Sequence, residues 1–316
     1  MYIENQAVAP AIDLYEEIEA LKIERNALIL AHYYQDPDIQ DIADYLGDSL
    51  KLAQIASQTD ADVIVLCGVL FMAETAKIIN PGLTVLLPDL DAGCSLAEGC
   101  PADAFAEHIA RYPDHAVVTY INTSAGVKAL SDIICTSSNA PRVIASVPPD
   151  QPILFAPDKH LGRYLIRQTG RDMLLWEGTC VVHDIFSEQE ILRLKDEYPE
   201  ALVLAHPECQ EAILRHADHI GSTTSIIKFA TSRNGGQFIV ATEEGVVHQM
   251  KKMAPDNLYI PAPTDDGCAC NQCPYMRKIT LEKVYLALRD LQPEITLDEE
   301  LRLKALRPLE RMLALG

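Results

Sequence analysis

The chain has 316 residues, 48% hydrophobic and 23% charged, the composition of a folded globular protein of two or three domains. A formal net charge of −20 argues against nucleic-acid binding, which needs clustered Lys and Arg along a run of phosphates. No apolar run approaches the ~18 residues of a membrane span. The first ten residues do not read as a signal peptide, so a cytoplasmic protein is expected, and its nine cysteines point to metal or redox chemistry rather than disulfides.

Residues 13–25 carry Leu14, Ile18 and Leu21 at helical spacing and read as an amphipathic helix. An apolar strand-like run follows from Leu28 and ends in His32 and Tyr34. Next come a polar segment from Asp44 to Ser49, a strand at 63–67, a helix at 72–79 and a strand at 84–87. The same order returns from Val117, with tips Tyr120 and Asn122, a segment from Asp132 to Ser137, and strands at 153–156 and 173–176. It returns again from Leu202, with tips His206 and Glu208, a segment from Asp218 to Thr223, strands at 238–242 and 258–261, and a helix at 244–253. Near the end, Thr296 with Glu299 resembles a capping box opening a helix to about Leu315.

His32, Tyr120 and His206 stand 88 and then 86 residues apart, and three further columns keep those offsets: Tyr34, Asn122 and Glu208; Asp44, Asp132 and Asp218; Ser49, Ser137 and Thr223. Four columns at the same offsets describe a triplicated unit. Apolar runs alternating with helical stretches are the mark of βαβ units. The expected fold is therefore α/β, with three homologous αβα units whose parallel sheets surround a pseudo-threefold axis. The units are expected at 1–111 (with the N-terminal helix), 112–197 and 198–275, with C-terminal helices at 276–316 packing on them.

Ligands of parallel sheets bind beyond the carboxyl ends of the strands. Residues two apart leave a strand on the same side, so His32 with Tyr34, Tyr120 with Asn122, and His206 with Glu208 are expected to line one cavity. Ser49, Ser137 and Thr223 fall where a strand gives way to a helix. A hydroxyl there is a plain cap or, with the helix dipole, part of an anion site. Three equivalent hydroxyls favour anion binding and supply positive potential that an acidic protein otherwise lacks.

Cysteines follow the last strand of each unit: Cys94, Cys180, and one of Cys268, Cys270 and Cys273, with the offsets favouring Cys268. Cys67 and Cys135 sit in apolar runs and read as packing residues, and Cys100 and Cys209 lean the same way. Three thiolates leave an open, Lewis-acidic position on a zinc ion or on one iron of a four-iron cluster, and spacing alone leaves both open.

Together the segments His32-Tyr33-Tyr34-Gln35, Gly47-Asp48-Ser49, Phe71-Met72-Ala73-Glu74-Thr75-Ala76-Lys77, Gly93-Cys94-Ser95-Leu96-Ala97, Tyr120-Ile121-Asn122, Thr136-Ser137-Ser138-Asn139, Glu177-Gly178-Thr179-Cys180-Val181-Val182-His183, His206-Pro207-Glu208-Cys209, Gly221-Ser222-Thr223 and Cys273-Pro274-Tyr275-Met276 resemble the quinolinate synthase family. The resemblance runs from about residue 25 to 290. It implies three similar α/β domains around one [4Fe–4S] cluster. It further implies condensation of iminoaspartate with dihydroxyacetone phosphate to quinolinate, phosphate and water, for NAD biosynthesis. A functional link to L-aspartate oxidase or aspartate dehydrogenase goes with that activity.

Carried over by position, the resemblance implies cluster ligands Cys94, Cys180 and Cys273, moving the third away from Cys268. It places substrate contacts at His32, Ser49, Tyr120, Ile121, Asn122, Ser137, His206, Pro207, Glu208 and Thr223. Enolisation and dehydration need a positioned acid and base, for which Tyr34, His206 and Glu208 are the candidates, with Tyr120 orienting substrate beside them. His183, three residues after a ligand, is either catalytic or a partner holding that ligand. Two alternatives stand beside this reading. A cluster-dependent dehydratase would need no phosphorylated substrate, and a zinc or redox-sensing protein built on residues 268–273 would hold metal without Cys94 or Cys180.

Overall fold

The computed structural model describes residues 13–265 and 271–315. Three aspartates shape the three units alike. Asp44, Asp132 and Asp218 each accept through Oδ2 a backbone N–H at 2.8 Å, from Ile29, Val117 and Val203. Each also donates its own N–H to the carbonyl of that same residue. This two-way clasp fixes the crossing from the first to the second strand of each unit and gives the aspartate column a structural meaning.

The first unit contains β1 (Ala27–His32), β2 (Tyr45–Gly47), β3 (Val63–Cys67) and β4 (Thr84–Leu86). The second has β5 (Ala116–Tyr120), β6 (Ile133–Cys135), β7 (Ile153–Ala156) and β8 (Met173–Leu175). The third has β9 (Leu202–Ala205), β10 (His219–Ile220), β11 (Gln237–Ala241) and β12 (Leu258–Pro261). Every pairing is parallel. The three sheets share one order, β2-β1-β3-β4, β6-β5-β7-β8 and β10-β9-β11-β12. In that order the chain steps to one side of its first strand and then crosses to the other. The reversal opens a crevice at the carboxyl ends of β1 and β3 and of their equivalents.

β3 and β5 are buried at every residue, as strands covered by helices on both faces must be. One continuous apolar core joins the first two units and the C-terminal helices, while the third unit's sheet has its own core on each face. The helix Leu14–Arg25 is capped by Asp13 and packs on the helix Leu281–Asp290. The last helix, Glu299–Ala314, lies across the first two units: Arg302 reaches the carbonyl of Ile78 and Arg311 that of Asp132. Its cap is Asp298, which accepts from Leu301 N at 3.0 Å. The expected Thr296 and Glu299 box is not used, because Asp298 already stands three residues before that N–H.

Candidate active site

The crevices of the three units open into one cavity. His32 and Tyr34 enter it from the end of β1, Tyr120 and Asn122 from the end of β5, and His206 and Glu208 beyond β9. Ser49, Ser137 and Thr223 line it from the turns after β2, β6 and β10, and Cys94, Cys180, His183 and Cys273 from later loops. Two expected contacts point elsewhere. Ile121 is buried against a small neighbouring void and Pro207 faces an outer cavity, since the residue between two that face inward points away in extended backbone.

The hydroxyl column does not cap its helices. The helix Ser49–Ala56 is capped by Asp48, and the helix Thr223–Thr231 by Ser222. Ser137 stands in a turn three residues before the helix Ala140–Ser146. The residue ahead of Ser49 or Thr223 serves the free N–H groups, so those hydroxyls remain available to the cavity. Asp48 also accepts from Ser138 Oγ at 2.9 Å, tying the first unit to the second.

A chain of hydrogen bonds crosses the cavity wall. Tyr34 Oη lies 2.9 Å from Thr223 Oγ1 and 2.8 Å from Thr242 Oγ1. Thr242 Oγ1 lies 2.9 Å from His183 Nε2, and His183 Nδ1 lies 2.9 Å from Glu208 Oε2. Tyr120 donates to Glu208 Oε1 at 2.6 Å. Each hydroxyl owns one hydrogen. With the hydrogen on Nδ1 facing the carboxylate, His183 Nε2 accepts from Thr242. Tyr34 then donates to Thr242 and Thr223 to Tyr34, so every donor in the chain points toward Glu208. Thr242 is the member the sequence reading passed over; it stands directly after β11, at the crevice.

Burial opposes charge on Glu208, but His206, His183 and the hydrogen bonds from His183 and Tyr120 outweigh it and hold the carboxyl well below its usual range. Burial also raises both phenols well above theirs, keeping Tyr34 and Tyr120 protonated. Burial lowers His32 to about 4 and His206 to about 3, so both rings are neutral at physiological pH. His206 stacks on His183 at 4.7 Å and reaches Ser137 Oγ through Nε2 at 3.3 Å.

The cysteines among the described residues divide by burial. Cys67, Cys100, Cys135 and Cys209 are buried, whereas Cys94, Cys180 and Cys273 are half-buried on the cavity wall. Burial pushes Cys94 up to about 12 and Cys273 to about 11, and raises Cys180 well above an ordinary thiol. Such thiols become a strong donor set only when a metal cation displaces their protons. Ser95 Oγ bridges two of their loops, accepting from Val181 N at 3.1 Å. Cys273 N donates to the buried carboxyl of Glu243 at 3.1 Å. Cys268 and Cys270 lie outside the described residues.

Residues 16–314 match the family model described as Quinolinate synthetase A protein. The chain belongs to the quinolinate synthase family. It is 60% identical over 304 residues to the quinolinate synthase of Microcystis aeruginosa, covering 96% of this chain and 95% of that protein. It is 61% identical over 306 residues to that of Thermosynechococcus vestitus, covering 96% of each. With that of Gloeothece citriformis the identity is 59% over 315 residues, covering 99% of this chain and 98% of its relative. Membership in the quinolinate synthase family makes the chain an enzyme. No helix among the described residues is long and apolar enough to cross a membrane.

Proposed function

We propose that this enzyme condenses iminoaspartate with dihydroxyacetone phosphate, giving quinolinate, phosphate and two molecules of water, within NAD biosynthesis. The observation that carries this is the convergence of one cysteine from each unit on the cavity that also receives all three hydroxyls of the repeat. Cys94, Cys180 and Cys273 would hold a [4Fe–4S] cluster. Three thiolates on one tetrahedral ion stand roughly 3.8 Å apart, from a metal–sulfur length of about 2.3 Å. Among the described residues the one trio of donors within 4.8 Å is Cys180, His183 and Glu208, so the three sulfurs stand wider than a single ion needs. When bound, the cluster supplies a Lewis acid, an iron with an open position that eases loss of water from substrate.

This chain's residues supply the rest. Ser49 and Ser137 donate to the carboxylate and phosphate groups, and Thr223 joins them by turning its hydrogen from Tyr34 to the substrate, while Asn122 and the neutral His32 orient them. Glu208, ionised and with two donors fixing it, takes protons from carbon during enolisation. Tyr34 and Tyr120, kept neutral, return protons to leaving oxygens. His206, also neutral, accepts from Glu208 N at Nδ1 and so presents its Nε2 hydrogen beside Ser137 as a donor. His183 passes hydrogen-bond order from Tyr34 to Glu208 and fixes the Cys180 side of the site. A supplier of iminoaspartate, an oxidase or dehydrogenase of aspartate, would act before it. The test is an anaerobic assay with both substrates. Quinolinate formed in step with phosphate supports the reading; consumption of a dicarboxylate without phosphate release replaces it with a dehydratase.

A further inference from the structure

Two buried side chains outside the cavity occupy the same place in two units. Gln40, in the helix Pro37–Ile42, sends Nε2 to the carbonyls of Tyr33 and Gln35, each at 2.9 Å. Lys128, in the helix Ala125–Ala129, sends Nζ to the carbonyls of Ile121, at 2.9 Å, and Thr123. Gln40 and Lys128 are 88 residues apart, as are their acceptors, Tyr33 with Ile121 and Gln35 with Thr123. Each donor therefore grips the backbone on both sides of one cavity residue, Tyr34 in the first unit and Asn122 in the second.

Each also reaches a neighbouring unit. Gln40 Nε2 lies 2.9 Å from the carbonyl of Gly245 in the third unit. Lys128 Nζ stands 5.3 Å from the ring centre of Phe71 in the first. Glu74, beside Phe71 on one helix, accepts the N–H of Ala125 at 2.9 Å and so secures the same loop from the first unit. Lys128 is fully buried, and among the described residues it has no carboxylate at ion-pair distance. Burying an ammonium to hold two carbonyls is costly unless the loop's position matters. In the third unit the equivalent position is Leu214, which has no donor; there Tyr120 and His183 hold the Glu208 side chain directly.

The two gripped residues differ in their other anchors. Tyr34 Oη is also fixed by Thr223 and Thr242. Asn122 Oδ1 is buried at the cavity with no hydrogen-bond partner among the described residues. No hydrogen bond at Oδ1 adds to the backbone in placing it. We infer that Lys128 and Gln40 are equivalent positioning residues, presenting Asn122 and Tyr34 to the substrates, and that Lys128 carries the larger share. Their effect on turnover rests on the reaction proposed above; their effect on the loops does not.

The test compares Lys128→Met, Lys128→Gln and Gln40→Leu in the full chain, purified anaerobically with its metal. Without substrate, backbone amides at 121–125 exchange at least about tenfold faster in Lys128→Met than in the unaltered protein, with 33–36 unchanged, and Gln40→Leu shows the reverse. Unchanged exchange at 121–125 overturns the inference whatever reaction the enzyme performs. In the assay Lys128→Met lowers kcat roughly 100-fold, the cost of a misplaced contact. Lys128→Gln, which supplies the donor used in the first unit, recovers at least about tenfold of that loss, and Gln40→Leu loses only about tenfold. Combined with Asn122→Ala, Lys128→Met adds less than about twofold, because the residue it positions is already gone. Losses that multiply instead overturn the positioning role. If Lys128→Met does not fold, Lys128→Leu, which places the third unit's donor-less residue there, carries the exchange and double-variant measurements.

Discussion

The cysteine loops and the hydroxyl turns of this cavity carry three equivalent residues each, but they are held in different ways. Each hydroxyl turn follows a short second strand whose crossing is closed by the same aspartate clasp at 2.8 Å, so Ser49, Ser137 and Thr223 each stand five residues after that aspartate. The cysteine loops follow the last strand of each unit and are tied by contacts that do not repeat. Ser95 bridges to the Cys180 loop, Glu243 holds Cys273 N, and Tyr275 reaches Glu98 at 2.8 Å. A repeated backbone device preserves register, whereas individual side-chain ties let loop length drift.

Replacing a cysteine should separate the two regions most strongly. Replacing Cys94, Cys180 or Cys273 singly with Ala is expected to remove most of the bound iron and lower turnover at least about 1,000-fold. Cys67→Ala, within β3, should leave iron unchanged and lower only thermal stability, which metal analysis beside a melting curve will separate. Glu208→Gln is expected to lower kcat roughly 100- to 10,000-fold with iron retained, and unchanged turnover would remove it as the base. On the hydroxyl side, Ser137→Ala should raise KM about tenfold or more, the loss of a hydrogen bond to an anionic group, with iron content untouched. A cysteine-like loss of iron in Ser137→Ala would erase the distinction between the two regions.

The smallest effect is in pH. His32 and His206 are held neutral in the fold, at about 4 and about 3, while in the unfolded chain they take up protons near 6.5. The unfolded state therefore binds more protons between those values. Their contribution to stability is complete above 6.5 and is lost as pH falls toward 4. Buried Glu243, raised to about 7, and Asp158, raised well above its usual range, act in the opposite sense, so the test is a difference: between pH 7 and pH 5 the change in Tm should be more favourable in His32→Asn than in the unaltered protein by a few degrees.

Much of this was legible in the sequence because the chain repeats. The offsets of 88 and 86 identified the strand tips and the hydroxyl column, and all of those residues meet in one cavity. The caps were not legible: Asp48 and Ser222 precede the hydroxyls they relieve, and only backbone geometry separates a residue at the cap from the next one. Thr242 was passed over because its partners, Tyr34 and His183, are 208 and 59 residues away. Gln40 and Lys128 share an offset but not a residue type, so a search for matching residues misses them.

In the proposed enzyme three units hold one shared cluster through Cys94, Cys180 and Cys273. Iron, acid-labile sulfide and zinc should be measured per chain in anaerobically purified protein, unaltered and with Cys94→Ala. About four iron and four sulfide in a coloured protein, lost on that replacement, is the predicted result. A colourless protein with zinc that survives the loss of Cys94 would contradict it.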